Sequence, residues 1–497
     1  MFLVLARGRP VSRRLCAAVT VLVVLAAAGF VNFGFFHVAQ RQQIHYWDAF
    51  HYFVGAKYLP ELGYTRLYEA TYVAGREMGA FAGIEHIRDL PTYQAREART
   101  IDAAALRARF TDGRWRAFKE DLLFFGPRIP DWRRLFMDHG YNDPPPRALL
   151  LHVLVRWLPA TALTLAVVTS LDYVLIAGAL ALAARAFGPL AGALAAATLL
   201  LSFFGRFDYI GGSVLRWDWI AALIAGAAAF ARGAGVAAGL LFAYAAVARL
   251  FPALLLVPLV IKWLQMRRAP VRDRTLHRGL ATAALAMGLV AVVIALAPPA
   301  LAVGEFVAKI RLHGGSAFTN HVGLGTWLIF QAAPWTVYAD GMRSVDPAAL
   351  AAARPAGWLV PLVSGLYLAA ALPLILRARV LESMMYAVPL VWCAVSPAGY
   401  YYSLLVLLVL LPWRDGAADG VRLLQMALLA VLGATGYALE IASQDFLPLM
   451  HRVSTLLALY FVVWLGLEYA RLRVPRLAGT APGLPPEGSA IRALPKI

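Results

Sequence analysis

Long apolar runs separated by short polar segments dominate this chain of 497 residues. The first apolar run extends from Leu15 to Val38, and eleven others follow at about 147–158, 161–185, 189–204, 217–231, 234–261, 279–300, 356–376, 380–395, 400–412, 421–440 and 453–470. A helix needs about 20 predominantly apolar residues to cross a bilayer, and several of these runs are shorter. The pattern predicts an all-α polytopic membrane protein with about twelve transmembrane helices.

Composition excludes several other classes of protein. The chain is 61% hydrophobic and only 15% charged, whereas a soluble chain of this length carries far more charge. Its net charge is +18, but the basic residues stand in short segments between apolar runs, where membrane proteins keep their cytoplasmic anchors. We therefore expect no nucleic-acid partner. Cys16 and Cys393 lie in or beside apolar runs, so neither a disulfide nor a thiolate metal site is expected.

The N-terminal segment resembles a secretory signal because arginines precede its apolar run. That run is longer than the ~7–15 residues of a cleaved signal. We expect an uncleaved first helix whose N-terminus lies in the cytoplasm.

The basic residues also predict an orientation. Several cluster in one loop that should be cytoplasmic, namely Lys262, Arg267, Arg268, Arg272, Arg274 and Arg278. Similar cytoplasmic ends are marked by Arg377, Arg379, Arg414, Arg422, Arg471, Arg473 and Arg476. Counting crossings from these anchors places both termini inside. It places a first transmembrane helix at 1–38, an extracytoplasmic loop at 39–145 and a transmembrane core at 146–300. A second extracytoplasmic loop follows at 301–354, then C-terminal transmembrane helices at 355–472 and a cytoplasmic tail at 473–497. The segment 205–216 fits less well, and a re-entrant arrangement is an alternative there.

The 39–145 segment is too long for a plain connector. Within it, Phe50 to Leu59 is predicted to form an amphipathic helix in the plane of the membrane interface. Residues 85–136 are predicted to form a small helical cap, with helical spacing of apolar residues around Trp115 and Phe118.

Four motifs fall on the outer face by the charge argument. They are the segment around Asp48, Gly140–Pro146, Phe318–His321 and Ser396–Tyr402. Asp48 is the most informative, because it follows the first apolar run among aromatic residues, where an ionised carboxylate loses hydration. A carboxylate kept there can act as a base, or bind a cation or a hydroxyl group.

These motifs resemble those of the GT-C glycosyltransferases that use polyprenyl-phosphate sugars, specifically the DUF2029 (GT87) group, which includes mannosyltransferases. The matching residues follow the family order: Asp48, Tyr52 and Ala56; Tyr141 with Pro144-Pro145; Arg249-Leu250-Phe251-Pro252; Asn320-His321; and Ser396-Pro397 followed by Tyr400, Tyr401 and Tyr402. The chain departs from the family in having Arg249 for lysine, no serine after His321, tyrosines after Ser-Pro, and the added segment 85–140.

The resemblance implies a GT-C-like bundle with a large first extracytoplasmic loop. It implies transfer of a sugar, most commonly mannose, from a polyprenyl-phosphate donor to a lipid or glycan acceptor at the periplasmic face of a bacterial inner membrane. Asp48 would be the general base of an inverting reaction. The donor phosphate would be held by Arg249, Lys57, Arg66 and His321. Substrate contacts would come from His51, Tyr52, Tyr141, Asn142, Asn320, Tyr400 and Tyr401. Neither a metal nor a cofactor is implied.

Each candidate residue also has a structural interpretation. Asp48 is an alternative N-cap for a helix over Ala49–Leu59, and His51 is a partner for Asp48 or a substrate contact. Arg249 would pair with Asp208 or Asp218 instead of a phosphate. Asn142 and Asp143 would shape a turn, Tyr400–Tyr402 would form an aromatic belt, and Asp172 would bond to a neighbouring polar group. Arg206, Asp208, Arg216 and Asp218 would form a salt-linked connector.

Two other functions stay open from the sequence. In a transporter or flippase of lipid-linked saccharides, Arg249 and Asp172 would line the translocation path, although the sequence shows no paired halves. An inactive relative would use Asp48 for structure alone. The enzymatic hypothesis expects Asp48 to be unpaired beside an apolar pit for an isoprenoid tail, so an ion pair with arginine would count against it.

Overall fold

The computed structural model describes residues 13–267, 273–296, 301–314, 316, 320–332, 335–337, 343–345, 354–413, 419–443 and 446–473. The tail beyond Arg473 lies outside these residues, as do Phe318, Thr319 and the basic residues Arg268, Arg272, Arg414 and Arg476.

Helices make up most of the described chain, as predicted. Five of them are long and apolar enough to cross a membrane: Ala162–Phe187, Arg274–Ala295, Ala356–Arg377, Gly420–Ala442 and Pro448–Leu472. Their exposed leucine and valine side chains, such as Leu289 and Val462, suit contact with lipid rather than with water. These features support a helical membrane protein.

The described residues contain five such spans instead of the twelve or so that the apolar pattern predicts. Most of the other apolar runs form shorter helices: Cys16–Phe30, Pro145–Val155, Pro189–Leu201, Asp218–Ala231, Gly235–Arg249, Phe251–Met266 and Gly399–Leu410. Backbone breaks account for part of the difference. The first helix stops at Phe30, before positive φ angles at Asn32 and Phe33, and the run 234–261 is divided at Leu250, whose φ is 61°.

The remaining elements connect these helices. Shorter α-helical and π-helical segments are Tyr46–Ala49, Phe50–Val54, Gly55–Lys57, Leu59–Leu62, Leu67–Glu77, Ala103–Arg107, Asp112–Phe125, Trp132–Phe136, Phe207–Ile210, Val303–Gly314, Leu324–Ala332 and Val388–Ala394. The 3₁₀ segments are Asn32–Gly34, Ala98–Thr100, Gly126–Arg128, Phe251–Leu256, Arg354–Trp358, Glu382–Ala387 and Gly399–Leu405. Two antiparallel hairpins join His86–Arg88 to Ala95–Glu97 and Trp335–Val337 to Arg343–Val345.

The 39–145 segment folds over its own apolar core. That core extends from Ile44 through Phe118 and Phe136 and continues into Leu151 and Leu165 of the helices that follow. The helix Asp112–Phe125 buries Trp115, Phe118, Leu122 and Phe125, which confirms the helical spacing predicted for the cap. The first hairpin, with His86 opposite Glu97, was not expected from the sequence.

The prediction of an interfacial helix at Phe50–Leu59 is wrong. Every residue of this stretch is buried, and it contains the π-helical turn Phe50–Val54. Its tyrosine and phenylalanine side chains pack beneath the cap helices, as in the contact of Phe50 with Phe125 and Trp132. Aromatic residues favour the interior as well as a membrane interface, so composition alone did not distinguish the two.

A second apolar core is formed by the membrane-type helices. Asp218–Ala231 packs against both Ala162–Phe187 and Gly235–Arg249, and the last of these packs against Arg274–Ala295. The two cores meet where the loop preceding Asp218 contacts the segment after the first helix. Candidate polar residues gather at this junction.

Candidate functional site

Asp48 lies in the first turn of a short helix that begins at Tyr46. Its backbone N–H donates to Nδ1 of His45 at 3.1 Å, so His45 is the residue that caps the helix. The interpretation of Asp48 as the N-cap is therefore wrong. A carboxylate in the first turn is still favoured by the helix dipole.

Asp48 is paired with an arginine, contrary to expectation. Its Oδ2 lies 3.5 Å from Nε of Arg216, and the exposed fractions of the two side chains are 16% and 4%. This separation is longer than a good hydrogen bond. Within the described residues, Oδ2 of Asp48 and both Nε and Nη1 of Arg216 are buried without a hydrogen-bond partner. Buried polar atoms are almost always satisfied, so this pair is unusual.

Two predicted substrate residues contact Arg216, and a third is bonded to one of them. Its guanidinium lies 4.1 Å from the ring centroid of Tyr52, and its Nη2 donates to the Tyr400 hydroxyl at 2.6 Å. The Tyr52 hydroxyl in turn donates to Oδ1 of Asn142 at 2.6 Å. Cation–π contact and hydrogen bonding therefore hold the guanidinium between two tyrosines beside Asp48.

Arg249 pairs with Asp143, and not with Asp208 or Asp218. Its Nη1 donates to Oδ1 of Asp143 at 2.6 Å, while Oδ2 of the same carboxylate accepts from Arg147. Asp143 is therefore the shared anion of two buried arginines, a larger role than the turn-shaping that was predicted for it. Arg249 also lies 5.9 Å from the Tyr401 ring, and its Nε has no hydrogen-bond partner among the described residues.

The 205–218 charges do not form a connector among themselves. Each contacts a different segment: Arg206 pairs with Glu440, Asp208 accepts from Asn32, Arg216 pairs with Asp48, and Asp218 pairs with Arg147. Asp172 does have polar partners, as predicted, and they are backbone N–H groups of Arg216 and Trp217.

Lys57 and Arg66, two of the predicted phosphate-binding cations, are held in other ion pairs. Lys57 is buried and donates to Asp121 at 2.6 Å, and Arg66 donates to Glu305 at 2.6 Å. These pairs tie Asp121 of the cap and Glu305 to the segment 57–66. Neither cation joins Asp48 and Arg216 in the part of the chain that is described.

His51 is not the partner of Asp48. Its ring nitrogens contact the Trp47 carbonyl at 2.9 Å and the Tyr68 hydroxyl at 2.8 Å. Burial lowers the pKa of His51, which favours a neutral imidazole. His51 therefore joins the helix that carries Asp48, through Trp47, to Tyr68. Tyr141 is also fully buried, and its ring is stacked on Tyr64 at 5.6 Å.

The Asn320-His321 and Ser396-Pro397 motifs lie side by side. Val322 N–H donates to the Pro397 carbonyl at 2.9 Å, and Gly399 N–H donates to the Asn320 carbonyl at 2.7 Å. Burial, aided by nearby His139, lowers the pKa of His321 to about 3. The imidazole is therefore neutral near pH 7 and does not supply the positive charge that the phosphate hypothesis asked of it.

Sequence reasoning did not single out Arg216, Asp143 and Arg147 as site residues. Asp143 and Arg147 carried a usable signal, because they are opposite charges four residues apart where an apolar helix begins. Arg216 carried none, since its partners come from segments remote in sequence. In the described ranges no group of three or more histidine, cysteine, aspartate or glutamate residues is arranged to hold a metal ion.

The chain matches no protein-family model and no curated protein. The resemblance to GT-C glycosyltransferases therefore rests on its motifs.

Proposed function

We propose that this protein is a membrane glycosyltransferase. It would transfer a sugar, with mannose the first candidate, from a polyprenyl-phosphate donor to a lipid or glycan at the periplasmic face of a bacterial inner membrane. In this proposal the shorter apolar helices complete a GT-C-like bundle of about twelve crossings. The Asp48–Arg216 ion pair counts against the unpaired base that the enzymatic hypothesis expected. The observation that supports the proposal is that this contact is long, at 3.5 Å, and that Oδ2 of Asp48 has no hydrogen-bond partner in the described chain.

The chemistry assigned to the pair follows from its two charges. Asp48 would accept the proton of an acceptor hydroxyl as its oxygen bonds to the anomeric carbon. The bond from that carbon to the phosphate oxygen breaks at the same time, and the polyprenyl phosphate departs with the bonding electrons. Nε and Nη1 of Arg216, which are buried and have no hydrogen-bond partner among the described residues, would stabilise the negative charge that develops on the phosphate. Positioned general bases typically contribute ~10²–10⁴-fold to rate.

The geometry of the pair also suggests how Asp48 would become free of Arg216 to act as the base. Arg216 lies beside Asp48 at a distance too long for a strong hydrogen bond. A donor phosphate that attracts the guanidinium would weaken its attraction to Asp48 and leave the carboxylate to the acceptor hydroxyl. Arg249 would act as a second, more distant cation, because Asp143 already engages its Nη1.

The aromatic residues suit a sugar ligand. Tyr52, Tyr400 and Tyr401 lie around Arg216 and Arg249, and the rings of Tyr400 and Tyr401 have centroids 4.5 Å apart. Their flat apolar faces and hydroxyl groups match the alternating apolar and polar surface of a hexose.

A catalytically inactive, structural role is the second candidate. The same pair favours it, because a carboxylate neutralised by a buried arginine can simply join two segments of the fold. In that case Asp48 and Arg216 would matter for stability only.

One experiment separates the two. Purified wild-type protein and Asp48→Asn are given a radiolabelled polyprenyl-phosphate sugar and extracted lipids, and the labelled product is measured together with thermal unfolding in detergent. Asp112→Asn, at an exposed position of the cap, is the matched control. We expect Asp48→Asn to abolish transfer with folding retained and Asp112→Asn to leave transfer unchanged. Unchanged transfer in Asp48→Asn would exclude Asp48 as the base.

A further inference from the structure

The loop Gly212–Trp217 delivers Arg216 to Asp48, and its backbone is strained. Leu215, the residue before Arg216, has a φ of 49°, a left-handed conformation that leucine rarely adopts. Such conformations persist where the surrounding structure enforces them, and they concentrate at functional sites. The contacts that enforce this one are therefore informative.

Asp172 holds the N–H side of the loop. This carboxylate is buried within the membrane-type helix Ala162–Phe187. Its Oδ2 accepts from the backbone N–H of Arg216 at 2.7 Å, and its Oδ1 accepts from the N–H of Trp217 at 3.1 Å. Both oxygens are thus used on the residues directly after the strained position.

Two arginines hold the carbonyl side of the same loop. Arg147 donates through Nη2 to the carbonyl oxygens of Val214, at 3.2 Å, and Leu215. Arg249 contacts the Leu215 carbonyl through Nη2 at 3.4 Å. Charged side chains from three helices therefore fix the backbone on both sides of Leu215.

The loop is also joined to the Asp48 helix. The Gly212 carbonyl accepts from the N–H of His45 at 3.0 Å, and the His45 side chain accepts from the N–H of Asp48. The base and the arginine are therefore set in position by segments that are bonded to one another.

We propose that Asp172 is a positioning residue whose role is to hold the loop Gly212–Trp217 so that Arg216 faces Asp48. A carboxylate deep in a membrane-type helix is costly, and here both of its oxygens are committed to one loop. Asp172 acts through Arg216 and takes no part in proton transfer. Its effect on sugar transfer rests on the proposed function, whereas its effect on the loop does not.

Hydrogen exchange tests the effect on the loop without any substrate. In Asp172→Asn the side-chain oxygen can accept from only one of the two N–H groups, and its NH₂ group opposes the other. We expect faster exchange confined to peptides covering 212–217, with peptides from Ala162–Phe187 unchanged. Ser170→Ala is the control, because that hydroxyl donates to the Ala166 carbonyl within its own helix. Unchanged exchange at 212–217 would overturn the proposal.

A double-mutant cycle tests the effect on transfer. Rates are compared for the wild type, Asp172→Asn, Arg216→Lys and the double variant. Misplacing a group by about 1 Å can cost about 10²-fold in rate, so we expect a loss of this order from Asp172→Asn in the wild-type background. Because Asp172 acts through Arg216, its substitution should cost less than about 2-fold in Arg216→Lys. Asp172→Glu, which keeps the carboxylate, should recover part of the rate.

The outcomes distinguish the two proposals. Equal losses from Asp172→Asn in both backgrounds would indicate a general structural role and contradict the positioning role. Transfer that is insensitive to both Asp48→Asn and Arg216→Lys would contradict the proposed function, and the exchange result would then decide the positioning role alone.

Discussion

Gly212 lies so close to Gln43 that a Cβ at position 212 would stand 1.8 Å from the Gln43 carbonyl oxygen. The φ of Gly212 is +69°, which only glycine adopts without strain. This approach allows the His45 N–H to reach the Gly212 carbonyl at 3.0 Å. The two segments that carry Asp48 and Arg216 therefore meet through a contact that excludes any side chain.

Substituting Gly212→Ala should separate these segments. The left-handed conformation alone costs roughly 1–2 kcal/mol for alanine, and the clash with Gln43 adds to this. We expect a lower unfolding temperature in detergent and a loss of transfer. The control is Gly178→Ala, in a helix with no atom within 4 Å of the added Cβ, which should be neutral or slightly stabilising. A Gly212→Ala variant as stable and active as the wild type would refute the close contact.

Arg249 should depend energetically on Asp143. Asp143 is fully buried and pairs with both Arg147 and Arg249, and Arg147 also pairs with Asp218. Removing one member of a buried ion pair typically costs about 3–5 kcal/mol, because the remaining charge is left uncompensated. We expect Asp143→Asn and Arg249→Met each to destabilise the protein strongly, and the double variant to lose less than their sum. Thermal unfolding of all four proteins measures the coupling, and strict additivity would contradict it.

Asp121 should fasten the cap to the segment that carries Lys57 and to the start of the helix Ala162–Phe187. Asp121 accepts from Lys57 at 2.6 Å, from the Tyr58 hydroxyl at 2.7 Å and from the Ala160 N–H at 2.8 Å. Asp121→Asn leaves the buried Lys57 charge uncompensated, so we expect destabilisation of about 3–5 kcal/mol. Limited proteolysis should then cut the cap, residues 85–136, first.

An exposed ion pair in the same cap provides the control. Arg99 and Glu97 have side chains that are 82% and 47% exposed, and such surface pairs contribute little to stability. Glu97→Gln should therefore change neither the unfolding temperature nor the cleavage pattern. Equal effects of Asp121→Asn and Glu97→Gln would show that burial of the first pair is not what holds the cap.

Lys309 should make stability depend on pH. Burial lowers the pKa of this lysine to about 7, against the partial opposition of Asp138 and Glu305, and its Nζ donates to the carbonyls of Tyr64 and Tyr141. An unfolded lysine titrates near pH 10.4, so between about pH 7 and 10 the unfolded state binds more protons than the folded state. Stability from this group therefore rises with pH across that window.

Comparison with Lys309→Met isolates the lysine. The difference in unfolding temperature, wild type minus Lys309→Met, should become more positive as the pH is raised from 7 to 9.5, because only the wild type is relieved of a buried charge. Lys119→Met, at a partly exposed position of the cap where the lysine pairs with Glu77 at 3.1 Å, is the control. A difference that stays constant or falls with pH would contradict the lowered pKa.

Local sequence patterns anticipated much of the helical framework. The apolar runs at 161–185, 421–440 and 453–470 coincide with long helices, and the spacing of Trp115, Phe118, Leu122 and Phe125 predicted the cap helix. Such patterns succeed because helix formation depends on neighbours three or four residues apart. The same patterns failed at Phe50–Leu59, where burial beneath the cap overrode the amphipathic appearance.

The sequence predicted many of the residues of the candidate site, but few of the contacts between them. One region does hold Asp48, Tyr52, Asn142, Tyr400, Tyr401 and Arg249. The positive charges predicted to bind phosphate are not free there, because Lys57 and Arg66 pair with carboxylates and burial keeps His321 neutral. Partners of a charge are chosen by the fold, because Coulomb attraction acts between atoms that are close in space, whatever their separation along the chain.

The sequence by itself determined that this is a helix-rich membrane protein with an acidic residue among aromatics after its first apolar run. Apolar length and local charge state these properties directly, and neither needs a neighbour from elsewhere in the chain. Only the tertiary structure decided that Asp48 faces Arg216 and that Asp143 joins Arg147 to Arg249. Those pairings depend on how the helices pack, because a buried charge is costly unless an opposite charge lies beside it.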